Sequence, residues 1–260
     1  MNKISVAIPT YISSRFVNKC ISSVFKVKNV DEIIIHDDSA NDNEYLNLVK
    51  IVSKYQKKNG PEIRLYRNKS NLGGFKNKYL AVQKCKNDII YQIDSDNIAS
   101  NNFSDFLNNM IENFDQEMLY TPSSIYVFKK NYYLTKLKKN TLVEITPSDL
   151  ILDLIKVQNE ILNKTLSNKP MDWVLNLGNH MFQKDSYLEK LEEGFESKQN
   201  TSAGDAIAGT YYWLKNGGSI YLLNNFTHHH RLRRDGYFAN SKEEGPKVVE
   251  QFIEKITNLK

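Results

Sequence analysis

The chain opens on a short apolar run, Ile4 to Ile8, that stops at Pro9. A run of that length bounded by proline predicts a buried strand. Ser13-Ser14 offers an N-cap, and Phe16, Val17, Cys20, Ile21 and Val24 follow at helical spacing. The same sequence of events then recurs. Glu32 to His36 predicts a second buried strand that delivers Asp37-Asp38-Ser39. Tyr45, Leu48, Val49, Val52 and Tyr55 mark a second amphipathic helix, broken by Gly60-Pro61. Glu62 to Tyr66 predicts a third strand, and Asn71-Leu72-Gly73-Gly74 turns the chain into a helix carrying Tyr79, Leu80, Val82 and Gln83. Asp88 to Ile93 predicts a fourth strand, ending on Asp94-Ser95-Asp96. Strict alternation of strand and helix predicts an α/β fold: a mainly parallel sheet with right-handed crossovers, flanked by helices.

Beyond Thr121 the pattern loosens. A basic, aromatic stretch runs from Lys129 to Lys139, and Pro147-Ser148-Asp149 opens a predicted helix that reaches about Leu162. Ser219 to Leu223 reads as a strand and Lys247 to Lys260 as a short amphipathic helix. No internal repeat or low-complexity linker divides the chain, so one domain is expected across its 260 residues.

Composition narrows the classes. Hydrophobic residues make up 40% and charged residues 25%, enough for a sizeable core. The net charge of +5 is mild and argues against nucleic acid, which asks for a clustered basic face. It suits an anionic small molecule or peripheral contact with an acidic membrane. Cys20 and Cys85 lie among apolar residues and read as buried thiols, consistent with a cytoplasmic setting. The first apolar run is too short for a secretory segment, and no later run approaches the roughly 20 apolar residues of a membrane span.

Ligands of parallel sheets bind beyond the carboxyl ends of the strands. Pro9-Thr10-Tyr11, Asp37-Asp38 and Asp94-Ser95-Asp96 would meet there. Two acidic residues one residue apart after a strand can face one divalent ion or one ribose; they can equally form a plain Asx turn. Hard oxygen ligands suit Mg²⁺ or Mn²⁺, and such an ion commonly holds a substrate diphosphate. His228-His229-His230 follows the Ser219–Leu223 strand, and in an extended chain His228 and His230 share a face. Imidazole can complete such a metal shell, or the run can be an exposed polar turn. Trp173 and Trp213 read first as core residues, although Trp173 could stack on a sugar.

Taken in order, these segments resemble glycosyltransferase family 2, of GT-A fold. Ile8-Pro9-Thr10-Tyr11 is similar to the family's first strand end, Glu32 to Ser39 to its second strand with paired aspartates, and Asn71-Leu72-Gly73 to its N-x-G turn. Gly178-Asn179-His180-Met181-Phe182 with Gly194-Phe195 resembles the acceptor-side strand and its G-F, and Gly204-Asp205 the E-D motif. The resemblance covers about 1–120 and 175–230. It implies a nucleotide-sugar-binding half at 1–120, a variable insertion at 121–172, an acceptor half at 173–230 and a C-terminal basic loop and helix at 231–260. It implies inverting transfer from a nucleotide-diphosphate sugar, a UDP-sugar foremost, to a hydroxyl of a glycan, lipid-linked or protein acceptor, with Mn²⁺ or Mg²⁺ as cofactor. By this resemblance Thr10 and Tyr11 line the base pocket and Asp38 bonds the base. Lys78 and Ser95 lie near the nucleotide, and Asp94 touches the ribose. Asp96 binds the metal with His228 or His230, and Asp205 is the general base. Arg231, Arg233 and Arg234 would fold over the diphosphate, or form a solvated loop.

Three residues depart from the pattern: Ser39 stands where Gly is usual, Tyr79 where Asn is frequent, and Gly204 where the E-D motif has Glu. Asp205 could instead simply cap its helix, with Thr201 and Ser202 nearby. Two other functions share the fold. A nucleotidyltransferase asks for a glycine-rich loop after the first strand, and Thr10 to Arg15 has no Gly. A non-catalytic sugar- or nucleotide-binding module would keep the crevice and lose the chemistry.

Overall fold

The structure, a computed structural model, describes residues 3–100, 102–111, 114–129, 141–146, 148–163, 171–197, 204–233 and 244–260. Strands β1 (Ile4–Thr10), β2 (Val30–Asp37), β3 (Glu62–Arg67) and β4 (Ile89–Gln92) alternate with helices α1 (Ser14–Val24), α2 (Asp42–Gln56) and α3 (Gly74–Gln83). Helix α4 (Phe103–Met110) follows, then β5 (Met118–Lys129), β6 (Thr141–Glu144), β7 (Leu150–Leu152), α5 (Leu154–Asn163) and α6 (Asp172–Leu175). The chain ends with β8 (His180–Gln183), α7 (Lys184–Glu196), α8 (Asp205–Lys215), β9 (Ser219–Leu232) and α9 (Glu244–Thr257).

The strands form one sheet in the order β3-β2-β1-β4-β8-β5-β9-β7, with β6 paired to β5. The first four strands are parallel; β8 is antiparallel to both β4 and β5; β5 and β9 run parallel. Alternation along β1 and β2 splits the core between the two faces. Ala7 and Ile34 pack with α3, α7, α8 and α9, while Val6, Ile8, Ile33 and Ile35 pack with α1, α2 and α4. Trp213 is fully buried in the first of these layers, as its core reading expected.

Three local readings change. The segment expected to be helical from Ser148 starts as strand β7, because Leu150 to Leu152 pair antiparallel with Leu222 to Ile220 of β9. The helix begins only after Asp153, whose Oδ1 accepts from Lys156 N at 2.8 Å as a cap. Ser13 occupies the N-cap position of α1 but its hydroxyl makes no capping bond. Glu44 of α2 accepts from Ser14 N at 3.1 Å instead, which frees Ser13 for the crevice. The strand expected at Ser219–Leu223 continues to Leu232, so the three histidines lie in sheet. No described helix is long and apolar enough to cross a membrane.

Candidate functional site

A cradle forms where β1, β2 and α3 meet. Asp38 is 1% exposed. Its Oδ1 accepts from Asn68 Nδ2 and Leu72 N, both at 2.8 Å, and its Oδ2 from Gly73 N at 2.9 Å. A carboxylate has about four acceptor positions, so one remains for a ligand. Burial raises the Asp38 pKa, against the pull of these hydrogen bonds. Asn77 completes the cradle: its Oδ1 accepts from His36 Nδ1 (2.8 Å) and Asn68 Nδ2 (3.2 Å), and its Nδ2 donates to His36 O (3.1 Å) and Thr10 O (3.4 Å). Burial lowers the His36 pKa and keeps the ring neutral. Thr10 Oγ1, Ser13 Oγ and Ser95 Oγ form a buried hydroxyl chain with 2.7 Å steps, tying the end of β1 to the turn after β4. Tyr11 stands at the lip, 38% exposed. The next residue, Ile12, is held at φ 44°, a strained position for a β-branched side chain and the kind found at ligand sites.

Lys78 binds two distant carboxylates together. Its side chain is 7% exposed, and Nζ lies 3.2 Å from Asp94 Oδ1 and 2.7 Å from Asp205 Oδ2. Burial works against the ammonium, but Asp205 and Asp94 outweigh it and raise the Lys78 pKa. Asp94 is also raised, chiefly by burial, with Asp205 and Asp96 adding to it and Lys78 opposing. Gly178 makes room: at φ 69° a Cβ there would stand 2.9 Å from Lys78 Nζ. Asp205 opens α8, where the helix dipole favours a carboxylate. Gly204 precedes it with no capping side chain, and Asn176 Oδ1 accepts from Ile207 N at 3.2 Å. The departure from E-D has a packing cause: a Cβ on Gly204 would lie 2.6 Å from Val248 Cγ1, so α9 fills the space a glutamate would need. Thr201 and Ser202 fall outside the described residues.

Asp96 points the other way. Its Oδ2 meets Arg233 Nη1 at 3.2 Å, and Arg231 Nε donates to its carbonyl at 2.8 Å. The guanidinium carbons of Arg15, Arg231 and Arg233 lie 4.7, 4.9 and 4.6 Å from the centroid of Phe16. Arg234, most of the Lys129–Lys139 stretch and the side chain of Trp173 fall outside the described residues.

The histidines are oriented by a chain that starts at Asp94. Asn179 Oδ1 accepts from Asp94 N at 2.7 Å and its Nδ2 donates to Leu177 O at 3.1 Å, which fixes the amide. Nδ2 therefore also donates to His228 Nε2, 2.9 Å away. That nitrogen accepts with its one lone pair, and His230 Nδ1 lies 3.4 Å from it. Burial lowers the pKa of both rings, and the Asp96 charge partly opposes this at His230. Among the described residues no three His, Cys, Asp or Glu side chains converge as a closed metal site.

The comparisons can now be set beside this geometry. The model described as Glycosyl transferase family 2 matches residues 5–168. The chain belongs to this family. It is a glycosyltransferase by that membership, on a GT-A fold. Among solved structures, S. aureus TarS 1-349 in complex with UDP-GlcNAc is similar at TM-score 0.60 and 16% identity, over 99% of this chain and 67% of that one. TarS 1-349 in complex with UDP gives TM-score 0.56 and 14% identity, over 99% and 66%. Longer TarS gives 0.59 and 16%, over 99% and 40%. The chain thus spans about two thirds of the TarS 1-349 structures. No curated protein sequence matches it.

Several residues that organise the crevice carried no role in the sequence. Asn68 and Asn77 join no motif, and their partners are 30 and 41 positions away. Asn179 was visible only as part of Gly178-Asn179-His180. Its position beside a positive-φ glycine at a strand start is the one local hint.

Proposed function

We propose that the chain is an inverting glycosyltransferase that moves a sugar from a nucleoside diphosphate, with UDP the leading candidate, to an acceptor hydroxyl. The observation that carries this is the Asp94–Lys78–Asp205 bridge. It brings a carboxylate of the donor crevice and a carboxylate of a separate helix within reach of one ammonium. Segment 1–120 is the donor half and 173–230 the acceptor half.

Asp205 takes the proton of the acceptor hydroxyl as that oxygen bonds the anomeric carbon. The bond from that carbon to the diphosphate oxygen breaks with inversion, and the nucleoside diphosphate leaves with the electron pair. Thr10, Tyr11 and the remaining acceptor position of Asp38 hold the base. Asp94, Ser95 and Lys78 hold the ribose side, and Lys78 keeps Asp205 oriented between turnovers. Arg231 and Arg233 lie where they can close on the diphosphate.

Mn²⁺ or Mg²⁺ fits the residues present as an ion shared with substrate. Asp96 and a ring nitrogen of His230 would offer one oxygen and one nitrogen donor, and diphosphate oxygens the rest. His228, held by Asn179, would act behind His230 by orienting its ring. Bound there, the cation would offset charge developing on the leaving diphosphate. UDP-GlcNAc is the first donor to try, because a TarS structure is described in complex with it. Release of UDP from UDP-GlcNAc should fall about 10²–10⁴-fold in Asp205→Asn. Unchanged turnover in that variant would remove Asp205 as the base.

A further inference from the structure

Lys78, Gln92, Gly178, His180, Tyr187, Asp205 and Thr210 share a small cavity of about 10 Å³ on the inner side of the Lys78 bridge. That is about the room one water needs. Two of these residues carry polar groups that are incompletely bonded. The Lys78 ammonium has three N–H donors; Asp94 and Asp205 take two, and among the described residues no acceptor meets the third. His180 Nε2 is buried and has no partner among the described residues.

His180 is anchored by its other nitrogen: Thr121 Oγ1 lies 2.9 Å from Nδ1. Nε2 is then the nitrogen that needs a partner, as acceptor in one tautomer and donor in the other, and a water can meet either. The Lys78 charge is felt at His180, adding to burial in keeping the ring neutral. Both residues line a space of one water's size, and a buried polar group left without a partner there would be costly.

We infer that an ordered water bridges Lys78 Nζ to His180 Nε2, and that His180 is thereby a positioning residue for the general base. The water engages the third donor of the ammonium and holds Lys78 between Asp94 and Asp205. His180 touches neither substrate nor reacting atoms. It acts through the water and Lys78 on the carboxylate that takes the proton. A base displaced by about 1 Å can lose on the order of 100-fold in rate. The positioning role rests on the reading of Asp205 given above; the water does not.

The test is a pair of variants in the full chain. In His180→Gln the amide falls where Nε2 lies and keeps a partner for the water, while the Thr121 bond is lost. In His180→Asn the amide falls where Nδ1 lies and keeps Thr121, while the water loses its partner on this side. The expected result is a fall in kcat of roughly tenfold to a hundredfold in His180→Asn, with donor KM unchanged, and near-normal kcat in His180→Gln. Crystal structures should show the water in wild type and in His180→Gln, with Lys78 in place. Losses that follow the thermal midpoints, equal losses, or the reverse ranking would overturn the positioning role. A wild-type cavity without density for water would overturn the bridge itself, and this readout decides the matter if a variant fails to fold. If Asp205→Asn keeps its turnover, the base reading fails on its own, and the density at Lys78 and His180 still judges the water.

Discussion

On the side of the crevice built by β1, β2 and α3, the buried side chains of Thr10, Asp38, Asn68 and Asn77 all find protein partners. Where β4, β8 and β9 meet, three buried atoms do not: Asn97 Nδ2, His180 Nε2 and His228 Nδ1 have none among the described residues. A buried polar group without a partner costs about 1–3 kcal/mol, so water or ligand is expected at these three; the other two such atoms, Glu32 Oε1 and Arg64 Nε, belong to an ion pair between β2 and β3 away from the crevice. Under the proposed function, the first side would be a preformed cradle for the base and the second, left incomplete by the protein, the end that holds charge and exchanges protons.

That contrast can be broken at several points, the largest effects first. Asp205→Asn should remove most turnover, as set out above, while nucleotide affinity measured by calorimetry stays within a factor of a few. Equal loss of affinity and rate would place Asp205 in the cradle rather than at the acceptor. Asp38→Ala should do the opposite kind of damage. It removes the charged acceptor of Asn68 Nδ2, Leu72 N and Gly73 N, leaving the first with Asn77 Oδ1 and the last with Asn71 Oδ1, and bonds to a charged acceptor are worth about 1.5–3 kcal/mol each. Urea unfolding should show a loss of about 3 kcal/mol, accompanied by weaker nucleotide binding; a loss under about 0.5 kcal/mol would mean the cradle is not preformed.

Acid should act first on the unfinished side. Burial, with Lys78 adding to it, pushes the His180 pKa down to about 3, so the folded ring stays neutral where the unfolded one is protonated. The unfolded chain therefore binds more protons between pH 6.5 and 3, and stability falls as pH falls through that window, by at most about 1.4 kcal/mol per pH unit for this site. Denaturant midpoints at pH 7, 6 and 5 should fall more steeply for wild type than for His180→Gln; parallel lines would mean His180 is protonated in the fold. The smallest effect belongs to Arg233. Its pair with Asp96 is partly exposed, so Arg233→Ala should cost under about 1 kcal/mol of stability. If Arg233 closes on the diphosphate, UDP should bind more weakly while uridine binds unchanged.

Most of the fold was legible in the first 100 residues, because buried parallel strands are short apolar runs and their helices keep a clean 3.6-residue period. Leu150 to Leu152 was misread because three apolar residues fit a helix or an edge strand equally well until β9 is there to pair with them. In the site, the acidic residues could be placed from strand ends alone. The bridge through Lys78 could not, since it joins positions 94 and 205 through a residue on a third element. Nor could the division between the two histidines: both lie on one face of a strand, and only the structure shows that Asn179 takes the Nε2 of His228 and not a nitrogen of His230. Gly204 looked like damage to the motif, and its cause lies 44 positions away, in Val248 of α9.

The most direct test of the donor site is thermal unfolding with UDP, GDP, CDP and dTDP, each with Mn²⁺ and with chelator, for wild type and Asp96→Ala. At 100 times its Kd a nucleotide should stabilise the fold by about 2.7 kcal/mol, a rise of roughly 5–10 °C for a chain of this size. UDP should give that rise only with metal, and Asp96→Ala should abolish it. No shift with any nucleotide under any condition would contradict the donor crevice built on Asp38, Asp94 and Asp96.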